Sequence, residues 1–530
     1  MSFSHSTASA AASSFVPFSE QFRRTVRATP DAVAVDFEGH RLDYTRLADR
    51  AGRLANALIA RGVGPGDRVA TLSANRLESV EEILAIALAG AVRVPLYTHN
   101  TVKTHAHMLR VSGARALIVD APEWERLAPA RIELPDLRVV ITHGPSPEVE
   151  YDAVLAAAPP DDPQLPSGPD DLAVLRFSSG TTGLPKGIMH RQREYFELGE
   201  ALARTLEDVA EDTVQIIAGP MSHISGAFFW PMIARGARQI VMPRFDAGRF
   251  VDHIEAGGTV SLIVPTMLKS VLEVPGLEQR RLSTLRRIGY GGSPIDETTL
   301  RRAIAVFGPV FAQSYGQSEA SPISALGSAD HDVHAPGFDP AVLRSAGRPV
   351  PGATVRIVDE DGTDVSPGEV GEIAVRAPWT MNEIWGDPEA TAARFLPDGS
   401  LLTRDMGYLR DGYLYLADRK DDMIISGGFN IWPTELENAL MAHPAVAEAA
   451  VIGVPHEHWG ETPVGIVVLR PGTAAESAEL VAWCREQVGS VKKPSAVIVR
   501  DAPLPRNGTG KLLRRELRET YGAAGGRPRD

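Results

Sequence analysis

The densest chemistry in this chain lies at Ser178-Ser179-Gly180-Thr181-Thr182-Gly183-Leu184-Pro185-Lys186-Gly187. Glycine lets successive N–H groups converge on one point. Hydroxyls add donors, and lysine adds a mobile positive charge. No acidic side chain opposes them. The combination suits a polyphosphate. It is not a Walker A loop, which requires Gly before the lysine and Ser or Thr after it; here Pro185 precedes Lys186 and Gly187 follows. The competing reading is a flexible Ser/Thr/Gly surface loop, against which stand Pro and Lys set between glycines.

Four further clusters follow in order. Ser314-Tyr315-Gly316-Gln317-Ser318-Glu319 offers a ring for a purine, a glycine for close approach and a carboxylate for Mg²⁺ beside phosphates. Leu402-Thr403-Arg404-Asp405 offers a carboxylate able to accept two ribose hydroxyls. Asp418-Arg419-Lys420-Asp421-Asp422-Met423-Ile424 is a charged run, and Pro505-Arg506-Asn507-Gly508-Thr509-Gly510-Lys511 ends on a glycine-flanked lysine. Each alone is as compatible with a solvated turn. Their joint occurrence is what points to a nucleotide site.

These groups need a scaffold. Short apolar runs alternate with amphipathic stretches over the first three hundred residues. Val69–Leu72, Ala116–Val119, Val139–Ile141, Ile240–Met242, Ser261–Val264, Arg287–Tyr290 and Phe311–Ser314 read as strands, and Glu78–Leu88 and Asp296–Phe307 as helices. Such alternation predicts parallel sheets faced by helices, with ligands at the carboxyl ends of the strands. Two sheet units are expected, divided by the Pro-rich stretch Pro159–Pro169. Near residue 345 the pattern turns to short antiparallel strands, a small barrel-like part. After Asp418 comes a compact α+β pattern, with helices at Pro433–His443, Ser477–Val488 and Lys511–Tyr521. The fold class is thus α/β, with a large N-terminal domain of two α/β sheets plus a barrel-like β part and a small α+β C-terminal domain. The boundaries are a disordered tail at 1–14, a large domain at 15–418 and a small one at 419–530.

Composition sets outer limits. A chain of 530 residues exceeds one ordinary core. Its net charge of −13 argues against a general nucleic-acid binder. The single cysteine, Cys484, permits no internal disulfide and fits a reducing cytoplasm. The N terminus lacks the basic and apolar regions of a secretory signal. The apolar run Ile83–Ala89 is too short to cross a membrane and follows Glu81 and Glu82, so it reads as a buried helix.

With these motifs in this order, the chain resembles the acyl-adenylate-forming enzymes over about residues 15 to 520: acyl- and aryl-CoA synthetases, firefly-type luciferases and peptide-synthetase adenylation domains. The resemblance implies a large domain of the kind just read, joined to a small mobile one. It implies ATP, Mg²⁺ and coenzyme A. By matching motif, Ser178, Ser179, Gly180, Thr181, Thr182 and Lys186 form the phosphate loop. Gly291, Gly292 and Ser293, with Ser314, Tyr315 and Gly316, frame the adenine. Ser318 meets the α-phosphate, Glu319 holds Mg²⁺, and Asp405 and Arg419 grip the ribose. Lys511 reaches the substrate carboxylate and the α-phosphate. Cations are needed because a carboxylate attacking phosphorus brings anion to anion. Two departures stand out: Ser318 replaces the usual Thr, and Arg404 replaces a Gly beside Asp405.

The same resemblance implies a second pose, reached by rotation about Asp421, in which Gly427 and Gly428 line a pantetheine tunnel. Trp459, Lys492 and Lys493 then stand where relatives contact CoA; a solvated loop is the alternative for the lysines. In Pro220–Trp230, His223 matches a position gating the pocket. Ile224 stands where amino-acid-activating relatives carry Asp, which disfavours an α-amino acid. His223, Ile224, Phe228 and Gly316 are expected to line the substrate pocket, although Phe228, Phe229 and Trp230 suit plain core equally well. Asp330–His334 and the pair His456 and His458 have ligand-like spacing but weak context for a metal. The expectation is an ATP-dependent ligase of an apolar or aromatic carboxylic acid to CoA, a cytoplasmic monomer or homodimer with no membrane span. The alternatives are loading of a carrier protein, or transfer to an amine, to oxygen or to nitrite. A non-enzymatic nucleotide binder is disfavoured by Lys186, Glu319, Asp405, Arg419 and Lys511 together.

Overall fold

The computed structural model describes residues 15–178, 184–207, 209–210, 212–419, 422–426, 429–506 and 512–522; at Ile224, Ala227, Asp418, Arg419, Asn430 and Val491 it describes the backbone only. The tail 1–14 lies outside the described residues.

Two large sheets carry the first part of the chain. One has eight strands. Its parallel centre runs Val139–His143, Ala116–Asp120, Arg68–Leu72, Val92–Pro95 and Leu172–Phe177, followed by Gly187–Arg191 antiparallel to the last. The other has nine strands, with Val214–Ile217, Val260–Ile263, Arg287–Gly291 and Phe311–Tyr315 parallel at its centre. Strands buried on both faces read as continuous apolar runs, which is why they were legible.

The Pro-rich stretch does not divide the two sheets. Val33–Phe37, long before it, joins the second sheet parallel to Arg238–Val241. Leu172–Phe177 and Gly187–Arg191, after it, complete the first. Sheet membership depends on which distant edge a strand pairs with, and no local pattern encodes that.

Helix Leu77–Leu88 packs between these layers and is buried almost throughout. Its two carboxylates go inside with partners. Glu81 meets Arg50 and the Tyr151 hydroxyl, and Glu82 meets His143 at 2.7 Å. The barrel-like part is a four-stranded antiparallel sheet of Thr354–Val358, Gly371–Arg376, Leu401–Arg410 and Tyr413–Arg419. Beyond it, helix Pro433–Met441 packs on the hairpin of Val446–His456 and Gly460–Leu469. Helix Ser477–Lys492 breaks at Gly489, where φ is +84°. The last described helix is Arg514–Tyr521. Lys269 of the large part donates to the Ala447 carbonyl at 3.3 Å.

Candidate active site

Three of the expected clusters meet where parallel strands end. Strands Arg287–Gly291 and Phe311–Tyr315 are neighbours in register, with Gly291 opposite Ser314. A Cβ on Gly291 would lie 2.3 Å from the Ser314 carbonyl oxygen, so only glycine fits there. Gly292 takes φ +81°, turning the chain toward Ser293. At Gly316 an added Cβ would fall 2.8 Å from the Ser321 Cα. Tight backbone thus surrounds the residues expected to frame the adenine.

Asp405 arrives from the antiparallel sheet. Its Oδ2 accepts from the Tyr315 hydroxyl at 2.8 Å and from Gln317 Nε2 at 2.6 Å. Gln317 also donates to the Thr403 carbonyl at 2.8 Å, which ties the two loops together. Asp405 pairs across the ladder with Arg419, whose side chain lies outside the described residues. Arg404 holds φ +63°, a left-handed conformation natural to glycine. Its amide donates to Glu372 Oε1 at 2.9 Å, and its side chain is exposed. The backbone shape survives the substitution.

The segment expected to bind phosphate is closed at its base. Ser178 N donates to the Lys186 carbonyl at 2.9 Å, and Lys186 N to Ser178 Oγ at 3.2 Å. The antiparallel strands before and after the loop impose this closure. Lys186 Nζ lies 3.0 Å from Asp387, whose carboxyl is held below its ordinary pKa by the Ala390 amide and by that lysine. Ser179, Gly180, Thr181 and Thr182 lie outside the described residues.

Glu319 forms an ion pair with Arg394 at 3.0 Å, and both side chains are largely buried, at 12% and 10% exposure. Among the described residues no three His, Cys, Asp or Glu side chains gather as a metal group. Mg²⁺ at a nucleotide takes one or two carboxylates and fills its shell with phosphate oxygens and water. One carboxylate is enough for that demand, and Glu319, the carboxylate expected to supply it, has its Oε1 engaged by Arg394.

His223 ends the turn at 221–223 that leads into the short helix Ile224–Ala227. Its ring packs edge-on to Tyr97 at 4.6 Å, and Tyr97 in turn stacks with His99. Nδ1 lies 3.2 Å from Ser222 Oγ. Burial, aided by the Arg176 charge, pushes the His223 pKa down to about 4. At neutral pH His223 is therefore an uncharged hydrogen-bonding group. Ile224, the next residue, has no described side chain.

Phe228, expected on the pocket wall, is fully buried in the main hydrophobic core, as is Phe229. Trp230 stacks on Phe18 at 4.6 Å. The weak metal candidates resolve similarly: His331 is a buried histidine bonded to the Tyr290 hydroxyl and the Gly327 carbonyl. Cys484 is buried, and burial pushes its thiol up to about 11.

In the C-terminal part Trp459 is 50% exposed, with the His458 ring against it at 4.3 Å. Lys492 is bound to Glu435 at 2.8 Å, so its charge is shared with a carboxylate. Lys493 is half-buried. Asp421, Gly427, Gly428 and Lys511 lie outside the described residues.

Sequence reading missed several participants. Tyr97 and His99 follow the carboxyl end of strand Val92–Pro95, a position that could have flagged them. Gln317 stands inside the quoted motif. Arg176, one residue before Phe177, donates to the Ser318 carbonyl at 2.7 Å. Arg394 has no local signal at all.

Residues 22–385 match the family model for the AMP-binding enzyme, and residues 435–511 that for the AMP-binding enzyme C-terminal domain. A fatty acid–[acyl-carrier-protein] ligase, ScoC of Streptomyces coeruleorubidus, is 36% identical over 93% of this chain and 94% of its own length. A feruloyl-CoA synthase of an Amycolatopsis species is 38% identical over 94% of this chain and 98% of its own. The crystal structure of ATP-bound MatB from Rhodopseudomonas palustris superposes with a TM-score of 0.87 at 30% identity, covering 95% of this chain and 99% of that one.

Proposed function

We propose that this chain, which belongs to the AMP-binding enzyme family, is an AMP-forming ligase that joins an apolar or aromatic carboxylic acid to coenzyme A. The observation carrying this reading is the meeting of the Tyr315–Glu319 segment with Asp405, together with the bond from Arg176, two residues before Ser178, to the Ser318 carbonyl. Similarity to a feruloyl-CoA synthase and to other acid–CoA ligases supports the acceptor.

In the first half-reaction the acid's carboxylate oxygen attacks the α-phosphorus of ATP, and pyrophosphate leaves. Gly291–Ser293 and Tyr315 hold the base, and Asp405, with Arg419, the ribose. Ser178, Lys186 and the intervening hydroxyls hold the β- and γ-phosphates. Lys511 screens the approach of the two anions. Glu319 would hold Mg²⁺, which neutralises charge on the phosphates. His223, neutral in its buried turn, orients the acid or the incoming thiol without adding charge. In the second half-reaction the CoA sulfur attacks the acyl carbon and AMP leaves. The small domain, 419–530, turns about Asp421 to bring Gly427, Gly428, Trp459 and Lys493 to the CoA channel. Lys492 must first release Glu435. We place the enzyme in the cytoplasm, as a monomer or homodimer; no described helix is long and apolar enough to cross a membrane.

Acid-dependent exchange of labelled pyrophosphate into ATP, over a panel of aliphatic, aryl and amino acids, tests the first half. Addition of CoA then yields a thioester. No exchange with any acid overturns the reading. A thioester only on a carrier protein's phosphopantetheine moves the acceptor to the alternative suggested by the ScoC likeness.

A further inference from the structure

Arg93 stands in the middle of a parallel sheet, on strand Val92–Pro95, where the neighbouring strands supply Val69 and Val174. It is only 8% exposed. Arg176 lies on the adjacent strand Leu172–Phe177. Among the described residues neither guanidinium has a carboxylate within ion-pair distance. Glu82 acts on Arg93 and Glu319 on Arg176 only from beyond contact. A buried cation without a directly bonded carboxylate is costly, and an apolar residue would suit such a strand better. Positions that break the local rule and persist are where function is sought.

The two arginines hold backbone carbonyls of the site, and Arg93 also meets the Tyr195 hydroxyl. Arg93 Nη2 donates to the Met221 carbonyl at 2.8 Å. That oxygen is confined from the other side: a Cβ on Gly226 would lie 2.0 Å from it and 3.0 Å from Arg93 Nη1. His223 lies between Met221 and Gly226, and Gly226 N donates to the His223 carbonyl at 2.9 Å. Arg176 Nη2 donates to the Ser318 carbonyl, next to Glu319. Between the arginines stands Tyr195 of helix Gln192–Thr205. Its ring lies 5.6 Å from the Arg176 guanidinium carbon, and it borders the same small internal cavity as Arg93.

We propose that Arg93 and Arg176 are positioning residues that form one brace across Tyr195, Arg93 fixing the His223 turn against the acid and Arg176 fixing the Ser318–Glu319 segment against the nucleotide. Charge is what the brace requires, because a charge-assisted donor grips a carbonyl more strongly than a neutral one. The inference rests on the functional reading above, since it needs the His223 turn to face the acid.

Arg93→Met removes the grip while keeping bulk. Losing a charged hydrogen bond implies a rise in KM for the acid of about ten- to a hundred-fold. KM for ATP should move less than about two-fold, because the Ser318 side of the brace remains. Arg176→Met should give the converse, a rise in KM for ATP with a fall in kcat. Arg93→Lys should recover most of the acid KM, since one ammonium donor reaches one carbonyl. Gly226→Ala displaces the Met221 carbonyl with both arginines intact and should reproduce the Arg93→Met effect. If Arg93→Met does not fold, Arg93→Lys and Gly226→Ala carry the same comparison. Equal changes in both KM values, or a lowered melting temperature with unchanged kinetic constants, overturn the proposal. Failure of the functional reading is distinguishable: the wild-type enzyme then shows no acid-dependent exchange at all, and both ideas fall.

Discussion

Tyr315 and Asp405, ninety residues apart, are joined by a hydrogen bond of 2.8 Å from the phenol to the carboxylate. One comes from the carboxyl end of a parallel strand, the other from an antiparallel sheet. Gln317 donates to the same oxygen. The carboxylate proposed for the ribose is thus aimed by Tyr315, proposed for the base, and by Gln317, so the two halves of the proposed nucleoside site are built as one unit. Tyr315→Phe keeps the ring and removes the donor. Its expected effect is a rise in KM for ATP of about five-fold, the worth of about 1 kcal/mol, with KM for the acid unchanged. Initial rates of pyrophosphate exchange at varied ATP read this directly, and an unchanged KM for ATP rejects the coupling.

Arg404 is held at φ +63°. A side chain in that region is strained by about 1–2 kcal/mol, partly offset in the unfolded chain, where glycine is freer. Arg404→Gly should therefore raise unfolding stability by about 1 kcal/mol. Urea denaturation gives the value. A loss of stability would mean that the exposed arginine makes contacts outweighing its backbone strain.

Lys511→Ala should abolish acid-dependent pyrophosphate exchange while sparing thioester formation from a preformed acyl-adenylate, because its charge is needed only when two anions approach. Supplying synthetic acyl-AMP and CoA separates the two steps. Equal loss of both would remove Lys511 from its assigned role.

Acid should destabilise this protein early. His105, His190, His223 and His331 all sit below the ordinary value of 6.5, in each case chiefly through burial; the Arg176 charge adds to this at His190 and His223. A depressed folded-state pKa means that the unfolded chain takes up protons first as pH falls. The stability is complete above 6.5 and is lost as pH drops below it, toward about 4 for His223. Each such histidine contributes a slope of up to about 1.4 kcal/mol per pH unit. Denaturation midpoints between pH 7.5 and 5 should fall, above the range where carboxylates titrate, and His223→Asn should make that fall shallower. A flat profile would mean that these histidines are solvated.

Residue types and short-range pattern were enough to point to the family's chemistry and to the alternation of strands and helices. The loop at Ser178–Gly187, Glu319 and Asp405 lie in local strings that are each compatible with a solvated turn, and only their joint occurrence in this order points to a phosphate, a cation and a ribose. Buried parallel strands such as Arg287–Gly291 announce themselves as apolar runs. Only the tertiary structure decided which edge each strand joins, so that Val33–Phe37 lies beside Arg238–Val241 and the Pro-rich stretch separates nothing. It alone paired Glu319 with Arg394 and set Arg93 beneath the His223 turn. It also took Phe228 into the core. The physical reason is range. Propensity, turn chemistry and hydrophobic period act over a few neighbouring residues. The partner of a buried charge is whatever distant group the fold brings within about 3 Å, and nothing near Arg93 or Arg394 in the chain specifies it.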